Sequence, residues 1–283
     1  MTVGLRLRVI HAALVAGAFL SDPAALEGQT PAGSRDVVLA TTTSFRDTGL
    51  LDSLLPLFER ETGYHVQPVA VGSGQALKIG ERADADVLLV HSPAAEVEFM
   101  RAGFGSRRQV VAWNYFTMVG PTGDPAHVSG ASSSAEALRR VASSGLGFVS
   151  RGDSSGTHLR ELALWAAAGG RPVWPGYVET GQGMAMTLLV ADERQAYTLT
   201  DRATLAAFRR RLGLVPLRSP EPSLLNVYHV IEVAPAGHPR VNPLGARAFA
   251  DWITSPAIQD RIARFGPAGE TLFVAARGRE PSR

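Results

Sequence analysis

The chain has 283 residues, of which 45% are hydrophobic and 19% charged, and it carries a net charge of +2. This is a globular composition, long enough for one large domain or two lobes with cores of their own, and it excludes a disordered chain. There are no cysteines, which excludes disulfides, thiolate metal sites, a cysteine nucleophile and a lipid-modified N-terminal cysteine.

Almost all the positive charge is arginine, with Lys78 the one lysine. No basic run is interleaved with aromatics, so nothing calls for a nucleic-acid partner. Residues 1–30 read as an export signal. Arg6, Arg8 and His11 precede or interrupt an apolar stretch, Val9 to Leu20, that is too short to span a bilayer. An uncleaved anchor is the alternative. No later segment reaches about 18 uninterrupted apolar residues, so the mature part is expected to be soluble and periplasmic.

Asp36 to Ala40 is an apolar run of the buried-strand type and ends in Thr41-Thr42-Thr43-Ser44. A helix follows from Leu50, with Pro56 expected to kink or split it and Gly63 to stop it. Tyr64 to Val71 reads as a second strand. It ends in Gly72-Ser73-Gly74, before a helix from Gln75 to Glu81. Asp86 to Val90 is a third strand, followed by His91-Ser92 and a helix from about Pro93. His91 could touch a ligand, or simply cap and pack. Val110 to Gly120 is a β-type run longer than an ordinary strand, long enough to pass from one lobe to another. Ser133-x-x-Glu136 is a capping box before a helix at Ala135 to Val141.

The central stretch is Ser150-Arg151-Gly152-Asp153-Ser154-Ser155-Gly156-Thr157-His158. An apolar run from Leu146 leads in as a strand and a helical pattern from Leu159 leads out. The first N–H groups of a helix lack intrahelical partners, and the helix dipole adds positive potential there. Hydroxyls, glycines and one arginine at that point suit an anion. Two other readings stand beside this one. Asp153, Ser154 or Ser155 could merely cap the helix. Gly152 to Gly156 also matches G-x-S-x-G, which would make Ser154 the nucleophile of a serine esterase, with Asp192 or Asp201 and His229 or His238 as partners.

Residues 169–180 read as loop. Gly181-Gln182-Gly183 introduces an apolar helix from Met184 to Val190. Ala196 to Thr200 is a strand, Asp201 caps the next helix, and Val215 to Arg218 is a short strand. Leu224 to Val233 is the second long β-type run, read as the return crossing. Asn242 to Phe265 is helical with a break at Ser255-Pro256, and Thr271 to Ala275 is a last strand. The alternation implies an α/β architecture with mainly parallel sheets. The expected division is 36–115 plus 229–283 for lobe 1 and 116–228 for lobe 2, with a two-stranded hinge and a ligand cleft between them.

The segments T-T-T-S, V-G-S-G-Q-A-L-K-I-G-E, A-D-V-L-L-V-H-S-P, S-R-G-D-S-S-G-T-H, E-T-G-Q-G-M and A-Y-T-L-T-D-R resemble the tungstate-binding proteins of ABC importers. The resemblance covers nearly all of the mature chain. It implies a type II periplasmic-binding fold and capture of a tetrahedral dianion, tungstate or molybdate, for delivery to a membrane permease. No catalysis, cofactor or metal is implied, and a monomer is. The implied ligand contacts are Thr42, Thr43 and Ser44 at the first junction and Ser73 and Gly74 at the second. Arg151, Ser155, Gly156 and Thr157 would contribute from the second lobe. Tyr197 and the Gly181–Gly183 loop are further wall elements. The segment Ala185 to Leu189 is more apolar than this family leads one to expect. Phosphate receptors of the same fold carry a similar R-x-D-x-S-G-T segment, in which the Asp can accept a proton from the ligand. Tungstate offers none at neutral pH, so Asp153 is then expected to orient Arg151 or cap the helix.

Overall fold

The first apolar run becomes strand β1, Asp36–Thr42, in a computed structural model that describes Met1 and residues 34–235, 239–267 and 270–281. Apart from Met1, the export-signal reading of residues 1–30 lies outside the described residues. After β1 come helices α1 (Thr43–Asp47) and α2 (Leu50–Thr62), then β2 (His65–Val71), α3 (Ser73–Glu81), β3 (Val87–Val90) and α4 (Pro93–Arg101). The long strand β4 (Gly105–Gly120) leads to α5 (Ser134–Ser144), β5 (Phe148–Ser150), α6 (Gly156–Ala167), β6 (Tyr177–Glu179) and α7 (Met184–Glu193). Then follow β7 (Thr198–Asp201), α8 (Arg202–Phe208), β8 (Val215–Pro216) and the second long strand β9 (Leu225–Val233). The chain closes with α9 (Pro243–Ile253), α10 (Pro256–Ala263) and β10 (Val274–Ala275).

The main sheet runs β10-β4-β9-β3-β1-β2, with β7 and β8 also paired to β4. It is a mixed sheet. β1 is parallel to both β2 and β3, whereas every pair made by β4 or β9 is antiparallel. These two long strands are the hinge of the two-lobed fold. β4 pairs with β9 up to Tyr115, then with β7 from Phe116. A small parallel pair, β5–β6, lies in the second lobe. Residues 177–179, expected as loop, form β6 because Phe148–Ser150 offers them a parallel edge.

Parallel pairing positions the site. Thr42 is level with Val71 and Thr41 with Leu89. The carboxyl ends of β1, β2 and β3 therefore fall side by side, where open α/β sheets bind ligands. Val87 and Leu89 enter one core with Phe45, Phe58 and Phe249, while Leu88 and Val90 enter another with Leu77 and Phe99. Covered on both faces, β3 reads as an unbroken apolar run. The second lobe has its own core around Phe116, Phe148, Trp165 and Tyr197.

Pro56 does not split α2, which continues to Thr62. Pro56 and Asp52, whose carbonyl loses its partner, are both exposed, so water can satisfy that group. The break falls earlier, at Gly49, in the left-handed region at φ 78°. No helix of the described residues is long and apolar enough to cross a membrane.

Candidate functional site

The hydroxyl-rich junctions of the sequence meet at one place. At the first, Thr42 caps α1 by accepting from the Phe45 N–H at 3.3 Å. The N–H groups of Thr43 and Ser44 precede any intrahelical acceptor. At the second, Gly72 precedes α3 and makes no side-chain cap, so the first N–H groups of that helix are free as well. In the second lobe, Ser155 caps α6 by accepting from the His158 N–H at 3.2 Å, which leaves Gly156 and Thr157 at the open end. α7 begins at Gly183, again without a side-chain cap.

The two walls touch. A methyl group on Gly74 would come 2.9 Å from the Ser154 carbonyl oxygen, and one on Gly72 would lie 3.3 Å from the Ser155 Cα. A methyl group on Gly156 would meet the His91 carbonyl at 2.6 Å. Gly183 faces Thr43, whose Oγ1 would lie 3.6 Å from its Cβ. Close approach of main chain to main chain is the use of glycine here. The lobes are therefore closed on each other. The helix openings of α1, α3, α6 and α7 all border this contact, and their dipoles favour negative charge.

Arg151 supplies the formal positive charge. It is 3% exposed, forms an ion pair with Asp153 through Nη2, and donates to Thr43 Oγ1 at 3.5 Å across the cleft. Its main chain is held from the loop before α7, where Gly181 N–H donates to the Arg151 carbonyl at 2.8 Å. Asp153 does two jobs. Oδ2 orients Arg151, and Oδ1 accepts from the Ser155 N–H at 3.1 Å. Among the described residues, Arg151 Nε and Thr157 Oγ1 are buried without a hydrogen-bond partner. Buried polar groups are rarely left so, and both belong to the second wall. Burial raises the Asp47 and Asp201 carboxyls, with Arg151 working against it in each case.

The first wall is arranged differently. Ser44 Oγ lies 3.3 Å from Thr42 Oγ1 and 3.2 Å from His91 Nε2. Ser73 Oγ accepts from the His91 N–H at 3.3 Å. His91 Nδ1 lies 2.8 Å from Asn226 Oδ1, and Asn226 Nδ2 donates to Asn114 Oδ1 at 2.8 Å. Burial pushes the His91 pKa down to about 4, so the ring is neutral at pH 7.

Thr42, Thr43, Ser44, Ser73, Gly74, Arg151, Asp153, Ser155, Gly156 and Thr157 are thus gathered around one contact. Tyr197 is not among them. Its ring is fully buried in the second lobe's core, and its hydroxyl donates to Asp124 at 3.2 Å and accepts from the Ala126 N–H at 2.8 Å. It braces a loop, which corrects its expected place in the wall. His91 proves more central than a capping residue, and Asn114 and Asn226 drew no notice in the sequence. Each is an asparagine inside a long β run, where that residue is depleted; this was the available signal. The larger surface cavities lie elsewhere. One of 590 Å³ is lined by Arg202, Leu205 and Glu270, and one of 540 Å³ by Leu50, Leu57 and Arg264. Neither includes a residue of the junctions, and a tetrahedral anion needs far less room.

Among the described residues the esterase arrangement is not assembled. His158 Nδ1 accepts from the Ser154 N–H at 3.1 Å rather than from its hydroxyl. His229 is buried against Glu96, 2.8 Å away, and Asp201 caps α8 by accepting from Thr204 N–H at 2.9 Å. His238 lies outside the described residues.

A hinged two-lobed fold closing on a cleft of helix N-termini defines a solute-binding receptor, and residues 27–257 match the PBP superfamily domain. Two solved structures resemble the chain along almost their whole length. The tungstate ABC transporter structure from Geobacter sulfurreducens is 44% identical with a TM-score of 0.74, covering 81% of this chain and 98% of that one. The tungstate-binding protein TupA from Desulfovibrio alaskensis G20 is also 44% identical, with a TM-score of 0.69, covering 85% of this chain and 98% of that one. The tungstate-binding protein TupA of Peptoclostridium acidaminophilum is 45% identical over 242 residues, 84% of this chain and 85% of that protein. The chain belongs to the PBP superfamily and, within it, to the family of the TupA proteins.

Proposed function

We propose that this protein is an extracytoplasmic receptor that captures tungstate between its lobes and hands it to an ABC permease. The reading is carried by one observation: helix N-termini from both lobes border a single closed contact, with Arg151 beside them. Such a site holds a small dianion by neutral donors and dipoles, with one charge-assisted partner. It performs no chemistry. Open lobes admit the anion, donors from both walls bind it, and closure buries it. Contacts that exist only in the closed form shift the population toward the form a permease can recognise.

Thr42, Thr43, Ser44, Ser73, Gly74, Arg151, Ser155, Gly156 and Thr157 form the binding set in this reading, with Asp153 supporting Arg151. The change of β4's partner between Tyr115 and Phe116 supports the first of the lobe boundaries, 36–115 plus 229–283 against 116–228. An export signal at residues 1–30, a periplasmic location and a monomer complete the proposal. With Oδ2 on Arg151 and Oδ1 on the Ser155 N–H, Asp153 has a role that needs no proton from the ligand, as an unprotonated anion requires. Molybdate shares the shape and charge of tungstate and is expected to compete.

Thermal unfolding against tungstate, molybdate, phosphate and sulfate tests the reading. A ligand at a hundred times its dissociation constant stabilises the folded state by about 2.7 kcal/mol. That corresponds to roughly 5–10 °C for a chain of this size. A shift with tungstate and molybdate alone is the expected result. A shift with phosphate alone would transfer the function to phosphate uptake. No shift with any of the four would remove the receptor reading.

A further inference from the structure

We propose that His91 is a positioning residue of the binding site: it fixes the direction of the first wall's hydroxyls and ties that wall to the hinge. The inference rests on the oxyanion reading above for its binding arm only.

His91 stands where the moving parts of the molecule meet. It follows β3, next to β1 in the sheet. Its N–H reaches Ser73 at the start of α3, and its ring reaches Ser44 in α1 and Asn226 in β9. The ring centroid is 4.9 Å from that of Tyr228. Across the cleft, Gly156 at the start of α6 packs so tightly on it that an added methyl group would lie 2.8 Å from the ring. One side chain thus joins both first-wall junctions, the second wall and the hinge.

The hydrogen-bond directions follow from the orientation of the Asn226 amide. Asn226 Nδ2 donates to Asn114 Oδ1 at 2.8 Å and to Tyr228 Oη at 2.9 Å. The other end of that amide, Oδ1, can only accept. His91 Nδ1 therefore carries the proton and donates to it. A neutral ring then has a bare lone pair at Nε2. Ser44 Oγ–H must donate to that lone pair, and Thr42 Oγ1–H is left to donate to Ser44. The chain runs one way, from Thr42 through Ser44, His91 and Asn226 to Asn114, and every member is buried. The protons of Thr42 and Ser44 point into the protein. What the first wall offers an anion is its main-chain N–H groups and the hydroxyls of Thr43 and Ser73, held in place by this chain. Asn114 and Asn226 are directly paired in the β4–β9 ladder, so the chain ends on the hinge itself.

Asparagine places an amide near the Nδ1 position and glutamine near the Nε2 position, so two substitutions separate the two halves of the chain. His91→Gln keeps an acceptor for Ser44 and gives up the hinge bond. His91→Asn keeps the hinge bond and leaves Ser44 without its acceptor. Three measurements are needed: the imidazole tautomer by ¹⁵N-edited NMR on the ligand-free protein, tungstate affinity by titration calorimetry, and the melting temperature of each variant. The expected results are the Nδ1–H tautomer at pH 7 and a loss of affinity of about tenfold in His91→Asn, as for a hydroxyl network left open. His91→Gln is expected to stay within about threefold. The double variant Ser44→Ala/His91→Asn should bind no worse than Ser44→Ala alone, because the two act through one bond. An Nε2–H tautomer would overturn the inference. So would equal loss of affinity in the Asn and Gln variants with equal melting temperatures, which is what a packing role gives. Should the unaltered protein bind no oxyanion while the Nδ1–H tautomer is present, the functional reading fails and the hydrogen-bond assignment stands.

Discussion

The two walls of the cleft hold their polar groups in opposite ways. In the first, the hydroxyls of Thr42 and Ser44 are already spent on each other and on His91. In the second, Arg151 Nε and Thr157 Oγ1 are buried and still without partners among the described residues. The first wall is a finished surface with its main-chain donors held in place. The second keeps buried groups that the protein itself leaves without partners among the described residues. An unpaired buried polar group costs about 1–3 kcal/mol, so the free energy recovered on binding is concentrated in the second wall. Substitutions there should weaken binding most.

Arg151→Ala is the largest expected effect. It removes the charge-assisted donor and leaves Asp153 beside a dianion, so tungstate affinity should fall more than tenfold, on the order of a hundredfold. Titration calorimetry checks it, and unchanged affinity would defeat the site assignment. Arg151→Lys should recover little, because one ammonium cannot serve Asp153, Thr43 and the ligand from a planar fork.

Gly156→Ala comes next. The added methyl group would sit 2.6 Å from the His91 carbonyl oxygen and meets this obstacle only when the walls close. Overpacking costs typically 1–3 kcal/mol, so affinity should fall about thirtyfold while the unliganded melting temperature stays nearly the same. Small-angle scattering adds a second reading: tungstate should no longer compact the variant. A drop in melting temperature equal to the loss of binding energy would place the damage in α6 rather than in closure.

Sequence exposes these two walls unequally. Strand–hydroxyl–helix junctions are local patterns, so Thr42, Ser73, Arg151 and Thr157 could be read from neighbours a few residues away. Parallel order along the sheet then brings the junctions together. The long runs at Val110 and Leu224 likewise announced the hinge, because length is a local property. What could not be read is pairing between distant segments. His91 meets Asn226 across 135 positions of chain, and no spacing rule connects them. Tyr197 failed in the other direction: a tyrosine beside the T-L-T-D segment looked like wall, but the pleat turned its ring into the core.

The first wall's neutral histidine gives a smaller effect, read through pH. His91 is pushed down to about 4 by burial, against about 6.5 for a free imidazole. Between these values the unfolded chain takes up a proton that the folded chain refuses. Its contribution is therefore complete above about pH 6.5 and is lost as pH falls toward 4, by about 1.4 kcal/mol at pH 5.5. The carboxyls of Asp86, Glu161 and Asp201, raised by burial, push the other way. Urea unfolding at pH 7 and pH 5.5 isolates the histidine as the difference between the protein and His91→Gln, which does not titrate. An identical pH response in both would mean that His91 takes up its proton in the folded state.

The smallest effect belongs to Thr157. Its hydroxyl is buried and unpartnered, and valine has nearly the same shape without the donor. Thr157→Val therefore removes one neutral hydrogen bond to the anion, worth about 1 kcal/mol or roughly fivefold in affinity. The same change removes a buried polar atom with nothing to bind in the ligand-free protein, so the melting temperature without tungstate should hold or rise. Opposite signs for the two measurements mark a group whose partner is the ligand. A loss in both would show that Thr157 serves the fold of α6, and the contrast between a finished wall and an unfinished one would then rest on Arg151 alone.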